Sequence, residues 1–266
     1  MAGRQLSYRV YGQSNRPAVL LLHGFLGSKN DWHEVAAALF SNYYVIAVDL
    51  PGHGDSVDGF SEQDYATAGC ANLLIDLLDA LKVRICTPIG YSMGGRLALF
   101  VAIYHPDRCH ALVLESASPG LRTEQERAER RANDNALADR ILSISLEQFL
   151  TEWYAQPLFE SLRNAAHYDG LLKRRQHNYP HGLALSLRQM GTGVQPSLWE
   201  RLSELKVPAL LLTGERDLKF TRIAQEMAAS LPHCSTTTLK NAGHTLHFET
   251  PANYIAAVQR FLSERK

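Results

Sequence analysis

The 266-residue sequence has no excess of charge of either sign, because 27 lysines and arginines balance 27 aspartates and glutamates. A balanced chain gives no electrostatic basis for binding nucleic acid or an anionic membrane surface. No apolar run approaches the roughly 18–20 residues of a membrane-spanning helix. The opening segment M-A-G-R-Q-L-S-Y also lacks the apolar stretch of a secretory signal. We therefore expect a cytoplasmic protein, of one large domain or one domain with an insertion, that binds neither nucleic acid nor membranes.

The sequence also has little cysteine and no spacing typical of metal ligands. The eleven histidines show no H-E-x-x-H pattern, and no G-x-G-x-x-G or P-loop motif is present. Scattered cysteines without a C-x-x-C pair predict neither a zinc site nor a disulfide framework, and buried reduced thiols are the better interpretation. We expect no metal and no cofactor. The four cysteines are Cys70, Cys86, Cys109 and Cys234.

Short apolar runs alternate with helix-length segments, which is typical of βαβ units on a mostly parallel sheet. Buried strands are predicted at residues 18–22, 43–48, 84–89, 111–115 and 209–213, with a short strand near 236–239 and an edge strand at 5–11. Helices are predicted at residues 31–39, 65–81, 92–104, 223–231 and 251–262.

One long segment breaks this alternation. Residues 119–202 are rich in Arg, Glu, Ala and Leu, with helical periodicity and no convincing strand. The stretch T-E-Q-E-R-A-E-R-R-A and residues 146–154 both suit amphipathic helices. Ligands of α/β sheets bind at the carboxyl ends of the strands, so a helical insertion there is best interpreted as a lid. We predict a core of residues 1–118 and 203–266 and a helical lid of residues 119–202.

Residues 90–96 read G-Y-S-M-G-G-R, and the first five fit the pattern G-x-S-x-G. That pattern presents a nucleophilic serine, here Ser92, on a sharp strand-to-helix turn that glycines make possible. The pattern recurs by chance, but here it follows a predicted strand and opens a predicted helix. Pro88 precedes it and cannot donate a hydrogen bond to a neighbouring strand, so we expect imperfect pairing there.

A serine hydroxyl needs a base, and the base needs a carboxylate to orient it. Asp217 follows a late strand in L-L-L-T-G-E-R-D, and His244 lies in the glycine-marked loop N-A-G-H-T-L-H before the final helix. The chain order Ser92, Asp217, His244 is the order in which nucleophile-elbow enzymes carry their catalytic triad. Alternatives remain open, with Glu215 or Asp49 as the acid and His247 as the base.

Two backbone N–H groups are expected to form an oxyanion hole. One belongs to Met93, directly after the serine, and the other to the loop L-L-H-G-F, where Phe25 is the expected donor. His23 in that loop is expected to be structural and to orient it. His53, in the tight loop P-G-H-G-D-S, is likewise interpreted as structural rather than catalytic.

The motifs L-H-G-F, D-L-P-G-H-G-D-S, G-Y-S-M-G-G and G-E-R-D…A-G-H together resemble the α/β-hydrolase superfamily through nearly the whole chain. Within the lid, E-S-A-S-P-G-L-R, Q-E-R-A-E-R-R, W-Y-A-Q-P-L-F and M-G-T-G-V-Q-P-S-L-W resemble the MenH family of menaquinone and phylloquinone biosynthesis. This resemblance implies a lyase, 2-succinyl-6-hydroxy-2,4-cyclohexadiene-1-carboxylate (SHCHC) synthase. Such an enzyme removes a proton from 2-succinyl-5-enolpyruvyl-6-hydroxy-3-cyclohexene-1-carboxylate and expels pyruvate, with the triad serine as the base.

That substrate carries three carboxylates, and a planar guanidinium binds a carboxylate through two parallel hydrogen bonds. From composition alone, the arginines of the lid would be interpreted as solvent-facing helix residues that pair with nearby acidic side chains. The resemblance implies instead that several of them bind substrate. It assigns this role to Arg96, Arg130 and Arg175, with Arg174 as the alternative one register off, and places Tyr91 and Trp153 in the pocket.

Two rival functions share these motifs. A lidded serine hydrolase of an ester, or of a C–C bond in a diketone, would use the same elbow and triad but would not need converging arginines. A non-catalytic binding protein of the same fold typically lacks a triad member, whereas all three positions are filled here.

Overall fold

The computed structural model describes residues 4–265, which form a seven-stranded sheet flanked by helices. The strand order is β1-β3-β2-β4-β5-β6-β7, with β1 antiparallel to β3 and the other neighbours parallel. The predicted mostly parallel α/β sheet is therefore confirmed. The strands are β1 (Tyr8–Tyr11), β2 (Ala18–Leu22), β3 (Tyr44–Val48), β4 (Cys86–Tyr91), β5 (Leu112–Glu115), β6 (Ala209–Gly214) and β7 (Cys234–Leu239).

Strands β2 and β3 are apolar along their whole length because helices cover both faces of the sheet. Side chains alternate between the faces, so Leu20 and Leu22 pack with α3, α4 and α10, whereas Val19 and Leu21 pack with α1 and α12. The core helices are α1 (His33–Leu39), α2 (Glu62–Tyr65), α3 (Thr67–Ala80), α4 (Met93–Tyr104), α10 (Leu218–Ala228), α11 (Leu246–Glu249) and α12 (Pro251–Ser263).

In the described chain, the segment between β5 and β6 contains five α-helices, two short 3-10 helices (Pro157–Phe159 and Trp199–Glu204) and no strand. Leu26, from the loop after β2, packs in the apolar cluster of these helices, so the cluster lies at the carboxyl end of the strands. Leu198 and Leu202, near the end of the segment, pack instead with the core. The division of the chain into a core and a lid of residues 119–202 remains a prediction. The helices are α5 (Glu124–Ser143), α6 (Leu146–Tyr154), α7 (Glu160–Arg163), α8 (Tyr168–Arg175) and α9 (Pro180–Met190).

Strand pairing is interrupted at Pro88, as expected. Strand β4 pairs with β2 through Pro88 itself, opposite Leu20. On its other side β4 pairs with β5 only from Ile89 onward, apart from an isolated bridge between Cys86 and Cys109. The missing N–H of proline accounts for the gap.

Two predicted helices differ from the structure. Helix α10 begins at Leu218 rather than 223, because the Asp217 side chain accepts a hydrogen bond from Phe220 N at 3.1 Å and caps the helix. The helix predicted at 65–81 is α3, which begins at Thr67; Tyr65 instead ends the short helix α2, and Ala66 between them has an extended ψ of 153°.

Candidate active site

Ser92 lies on the sharp turn between β4 and α4, with φ of 49° and ψ of −106°. A positive φ is unfavourable for a residue with a side chain, so the turn is strained. Neighbouring glycines allow the close packing that holds it. A Cβ on Gly90 would lie 2.3 Å from the oxygen of Gly94, and a Cβ on Gly94 would lie 2.3 Å from the oxygen of Leu22. The G-x-S-x-G pattern thus has the expected geometry.

The structure brings Ser92, His244 and Asp217 together in one hydrogen-bonded chain. His244 Nε2 lies 3.2 Å from Ser92 Oγ, and His244 Nδ1 lies 2.7 Å from Asp217 Oδ2. The His244 and Asp217 side chains are buried. In this arrangement the imidazole can accept the hydroxyl proton while the carboxylate holds the ring and stabilises its positive charge.

The alternative acids and base have other partners. Asp49 accepts hydrogen bonds from the backbone and side-chain nitrogens of Lys29, and Glu215 accepts one from Asn241 N at 3.1 Å. The ring of His247 is hydrogen-bonded to a buried glutamate rather than to Ser92.

Phe25 lies in a turn in which Gly27 N donates to the Gly24 oxygen at 2.9 Å and Leu26 has a φ of 67°. Phe25 and Met93 both line the same cavity as Ser92. Within residues 4–265, neither backbone N–H has a hydrogen-bond acceptor. Both groups are therefore free to bind an oxyanion, and this role remains a prediction.

Two histidines lie behind that turn. His23 Nδ1 donates to the Gly24 oxygen at 2.8 Å, while its Nε2 accepts from Leu50 N at 3.0 Å, and burial lowers the pKa of His23 to about 4. His53 Nδ1 lies 3.1 Å from the Pro51 oxygen, and burial lowers the pKa of His53 to about 3. Both rings are neutral at physiological pH, which fits the structural roles predicted for them.

A cavity of about 250 Å³ lies above Ser92, between the sheet and the lid helices. Four cationic side chains line it, and no aspartate or glutamate of the described residues does. Such a lining attracts anions and raises their local concentration. The sequence analysis did not identify Lys219. The only feature of the sequence that could have pointed to it is its position two residues after Asp217. The cations are Arg96, Arg130, Arg175 and Lys219.

Arg96 lies on α4 one turn after Ser92, and its Nη1 donates to the Met190 oxygen at 2.9 Å and to Gln195 Oε1. Burial, followed by the nearby charge of Arg130, lowers the pKa of Arg96 to about 10, so the side chain is still a cation at neutral pH. In the part of the chain that the structure describes, Arg96 Nε and Nη2 make no hydrogen bond, which leaves one edge of the guanidinium available to a carboxylate.

Arg130 reaches the cavity from α5, and its Nε donates to Asp134 Oδ1 at 2.8 Å. Asp134 is buried, and burial raises the pKa of its carboxyl group. Gly191 lies against that carboxylate, since a Cβ there would be 2.3 Å from Asp134 Oδ2. This contact gives Arg130 a fixed support on the wall of the cavity.

Of Arg174 and Arg175, between which the sequence left the register open, only Arg175 lines the cavity, and a role for either in substrate binding remains a prediction. Arg175 is buried and lines the cavity, where its Nε donates to Tyr154 Oη at 3.2 Å. The Arg174 side chain is 36% exposed and lies outside that cavity. Arg175 is also paired with Asp31, a residue that the sequence analysis did not single out.

Tyr91 and Trp153 line the cavity as predicted. Tyr91 Oη lies 2.9 Å from Thr245 Oγ1, and its ring centre is 5.4 Å from that of His244. The ring of Trp153 packs edge-on against Phe25 at 5.2 Å. Trp153 thus connects α6 to the turn that carries Phe25, and Tyr91 packs beside the candidate base.

Three further observations bear on the sequence analysis. Within residues 4–265, no group of three or more His, Cys, Asp or Glu could hold a metal ion. No helix of this part of the chain is both long and apolar enough to cross a membrane. Cys70, Cys86 and Cys109 are buried free thiols whose pKa values burial raises, whereas Cys234 is partly exposed, contrary to the expectation that all four are buried.

Comparison with known proteins places this geometry in a family. Residues 17–251 match the family model for the alpha/beta hydrolase fold. A Bacillus subtilis protein, provisionally named 2-succinyl-6-hydroxy-2,4-cyclohexadiene-1-carboxylate synthase, is 42% identical over 95% of this chain and 92% of its own length. A Klebsiella pneumoniae protein with the same name is 38% identical over 95% of this chain and 96% of its own length.

Solved structures agree with this relationship. The structure of MenH from S. aureus superposes with a TM-score of 0.93 at 35% identity, over 100% of this chain and 99% of that one. An esterase from Thermogutta terrifontis superposes with a TM-score of 0.82 at 25% identity, over 97% of this chain and 93% of that one. The chain therefore belongs to the α/β-hydrolase superfamily and, within it, to the MenH family of SHCHC synthases.

Proposed function

We propose that this protein is an SHCHC synthase that eliminates pyruvate from 2-succinyl-5-enolpyruvyl-6-hydroxy-3-cyclohexene-1-carboxylate. One observation carries the proposal. The cavity places the Ser92 hydroxyl beside four cationic side chains and no carboxylate. A substrate with three carboxylates complements such a lining, whereas a neutral ester does not. The names of the relatives point to the same reaction.

The cations bind the substrate in different ways. Arg96 and Arg130 each present a guanidinium that can donate two hydrogen bonds to a carboxylate, and such pairs are strong in a sheltered cavity. Lys219 supplies a point charge from an exposed position on the first turn of α10. Arg175 lines the deeper part of the cavity, but its charge is compensated by Asp31, so Arg96, Arg130 and Lys219 supply most of the attraction for carboxylates.

The hydrogen-bonded chain supplies the proton transfer. His244 takes the hydroxyl proton of Ser92, and Ser92 Oγ removes the acidic ring proton next to the succinyl carbonyl. The electron pair of that C–H bond moves into the carbonyl, and the N–H groups of Met93 and Phe25 stabilise the oxyanion. Collapse of this anion shifts the ring double bond and breaks the ring C–O bond, and pyruvate leaves as its enolate, which takes the proton that His244 held. No bond forms between Ser92 and the substrate.

The rival proposal is a serine hydrolase, because esterases share this fold and the same three side chains could support acyl transfer. Four converging cations are of little use to an enzyme for neutral esters. Pyruvate release, followed by coupled lactate dehydrogenase with the enolpyruvyl substrate, separates the two. We expect pyruvate release that depends on Ser92 and only slow hydrolysis of a small neutral ester. Fast ester hydrolysis without pyruvate would replace our proposal with the rival.

A further inference from the structure

One residue outside the cavity contacts both Ser92 and the segment that carries His244. Glu115 is the last residue of β5, and its backbone oxygen accepts a hydrogen bond from Ser92 N at 2.8 Å. Its carboxylate oxygens lie 2.8 and 2.9 Å from His247 Nδ1, and one of them accepts from His247 N at 3.2 Å. The Glu115 side chain is fully buried.

His247 is a firm attachment point for this segment because its ring is held from several sides. The Trp32 ring stacks on it at 4.5 Å, and the Tyr91 ring meets it edge-on at 5.0 Å. His247 follows His244 by three residues, so whatever fixes His247 also limits the movement of His244 relative to the sheet.

The segment has other attachments, a hydrogen bond from Arg216 N to the Ala242 oxygen at 2.9 Å and the contact of His244 with Asp217, but these tie it to the loop after β6 rather than to Ser92. Glu249 accepts hydrogen bonds from Gly243 N at 2.6 Å and Thr245 N at 2.9 Å. These bonds join residues of one short stretch of chain, so they set its internal shape but not its distance from Ser92. Tyr91 Oη, 2.9 Å from Thr245 Oγ1, provides a second link to the elbow through neutral hydroxyls.

We propose that Glu115 is a positioning residue that sets the separation between Ser92 Oγ and His244 Nε2. It does not line the cavity, so it acts on the reaction through those two side chains rather than through the substrate. The inference rests on the proposed catalytic roles of Ser92 and His244. Misplacement of reacting groups by about 1 Å can lower a rate by about 100-fold. A small shift of the His244 segment is therefore sufficient to impair proton transfer.

The test compares Glu115→Gln and Glu115→Leu with a matched control, Asp64→Asn. Asp64 is also a buried carboxylate that accepts hydrogen bonds, from Ser61 N and Ser61 Oγ, both at 2.7 Å, but it lies at the start of α2. Two readouts are needed. One is kcat and KM for pyruvate release, and the other is the rate at which diisopropyl fluorophosphate, a neutral reagent, phosphorylates Ser92 with loss of fluoride.

We expect Glu115→Gln, which keeps one acceptor but loses the charge, to lower both kcat and the phosphorylation rate about 10-fold. Glu115→Leu lowers both about 100-fold, with KM within about twofold of the unmodified protein. Asp64→Asn leaves both rates within about twofold. If Glu115→Leu does not fold, Glu115→Gln decides the matter.

Rates for Glu115→Gln that match those of Asp64→Asn, or a loss confined to KM, would overturn the positioning role. A wild-type protein that releases no pyruvate would instead overturn the proposed function. In that case the phosphorylation rates alone still decide whether Glu115 positions the two side chains.

Discussion

Arg175 and Asp31 form a two-point ion pair, with Nη1 2.8 Å from Oδ1 and Nη2 2.7 Å from Oδ2. Both side chains are almost fully buried, at 5% and 2% exposure. Despite burial, the charge and hydrogen bonds of Arg175 hold the pKa of the Asp31 carboxyl group below its ordinary value, and the Asp31 charge in turn raises the pKa of Arg175. One of the three arginines that family resemblance assigns to substrate binding is thus already paired, and it contributes to the cavity as one half of an ion pair.

Asp31→Asn is expected to destabilise the protein strongly. Breaking a buried ion pair by removing one partner typically costs about 3–5 kcal/mol, because the other charge stays buried without compensation. The free energy of unfolding, measured in urea, gives the size of the effect. Arg174→Gln is the control, since Arg174 is half-exposed and lies 3.5 Å from the same carboxylate. Equal losses in the two variants would mean that Arg175 does not depend on Asp31.

Arg96→Ala is expected to lower kcat/KM for pyruvate release by about 30-fold or more. Loss of one side of a buried charge-assisted pair costs about 2–5 kcal/mol, and each 1.4 kcal/mol is a factor of about ten. Arg96→Lys recovers only part, because an ammonium group cannot form two parallel bonds to a carboxylate. Hydrolysis of a neutral ester is the internal control. An equal loss on ester and enolpyruvyl substrate would show that Arg96 is structural.

Arg130→Ala is expected to reduce kcat/KM similarly, about 30-fold. Arg127→Ala is its matched control, because Arg127 lies on the same helix, pairs with Glu124 at 3.2 Å and does not line the cavity. Steady-state kinetics of pyruvate release on both variants makes the comparison. Equal activity of the two variants would remove Arg130 from the substrate site.

Ser92→Ala is expected to lower kcat by several orders of magnitude while the fold persists, as removal of a triad member does. Ser92→Gly is expected to be equally inactive but more stable than Ser92→Ala by about 1 kcal/mol, because glycine adopts a positive φ without strain. Pyruvate release and urea denaturation of both variants test this. Near-normal activity of a folded Ser92→Ala protein would contradict the role of Ser92.

Acid is expected to destabilise the protein through His23 and His53. Burial lowers their pKa values from the ordinary 6.5 to about 4 and about 3, so below about pH 6.5 the unfolded chain binds protons that the folded chain does not. Each ring then lowers the free energy of unfolding by up to about 1.4 kcal/mol per pH unit as the pH falls towards 4. The free energy of unfolding is measured by urea denaturation between pH 7.5 and about 4.5. We expect it to fall less steeply with falling pH in His53→Phe than in the unmodified protein. The same pH dependence in the two proteins would contradict a role for His53 in acid destabilisation.

The sheet and the hydrogen-bonded chain were predictable because both leave strong local signals. An uninterrupted apolar run such as residues 18–22 predicts a strand covered on both faces. The pattern around Ser92 and the late positions of Asp217 and His244 predicted which side chains meet, although they are far apart in the chain.

The remaining features depend on tertiary contacts that no local pattern encodes. The start of α10 was misplaced because Asp217 both caps a helix and faces His244, and sequence reasoning considered only the second role. The pairing of Asp31 with Arg175 joins the loop after β2 to a lid helix. The sequence analysis did not identify Glu115 either, because nothing in the sequence around a single glutamate at the end of an apolar strand indicates that it contacts His247.

The central claim is that a hydrolase-like triad performs an elimination without adding water. The most direct measurement is the mass of the ring product formed from the enolpyruvyl substrate. We predict pyruvate together with SHCHC, which is lighter by one water molecule than the ring alcohol that hydrolysis would give. Formation of pyruvate with the ring alcohol in place of SHCHC would contradict the account.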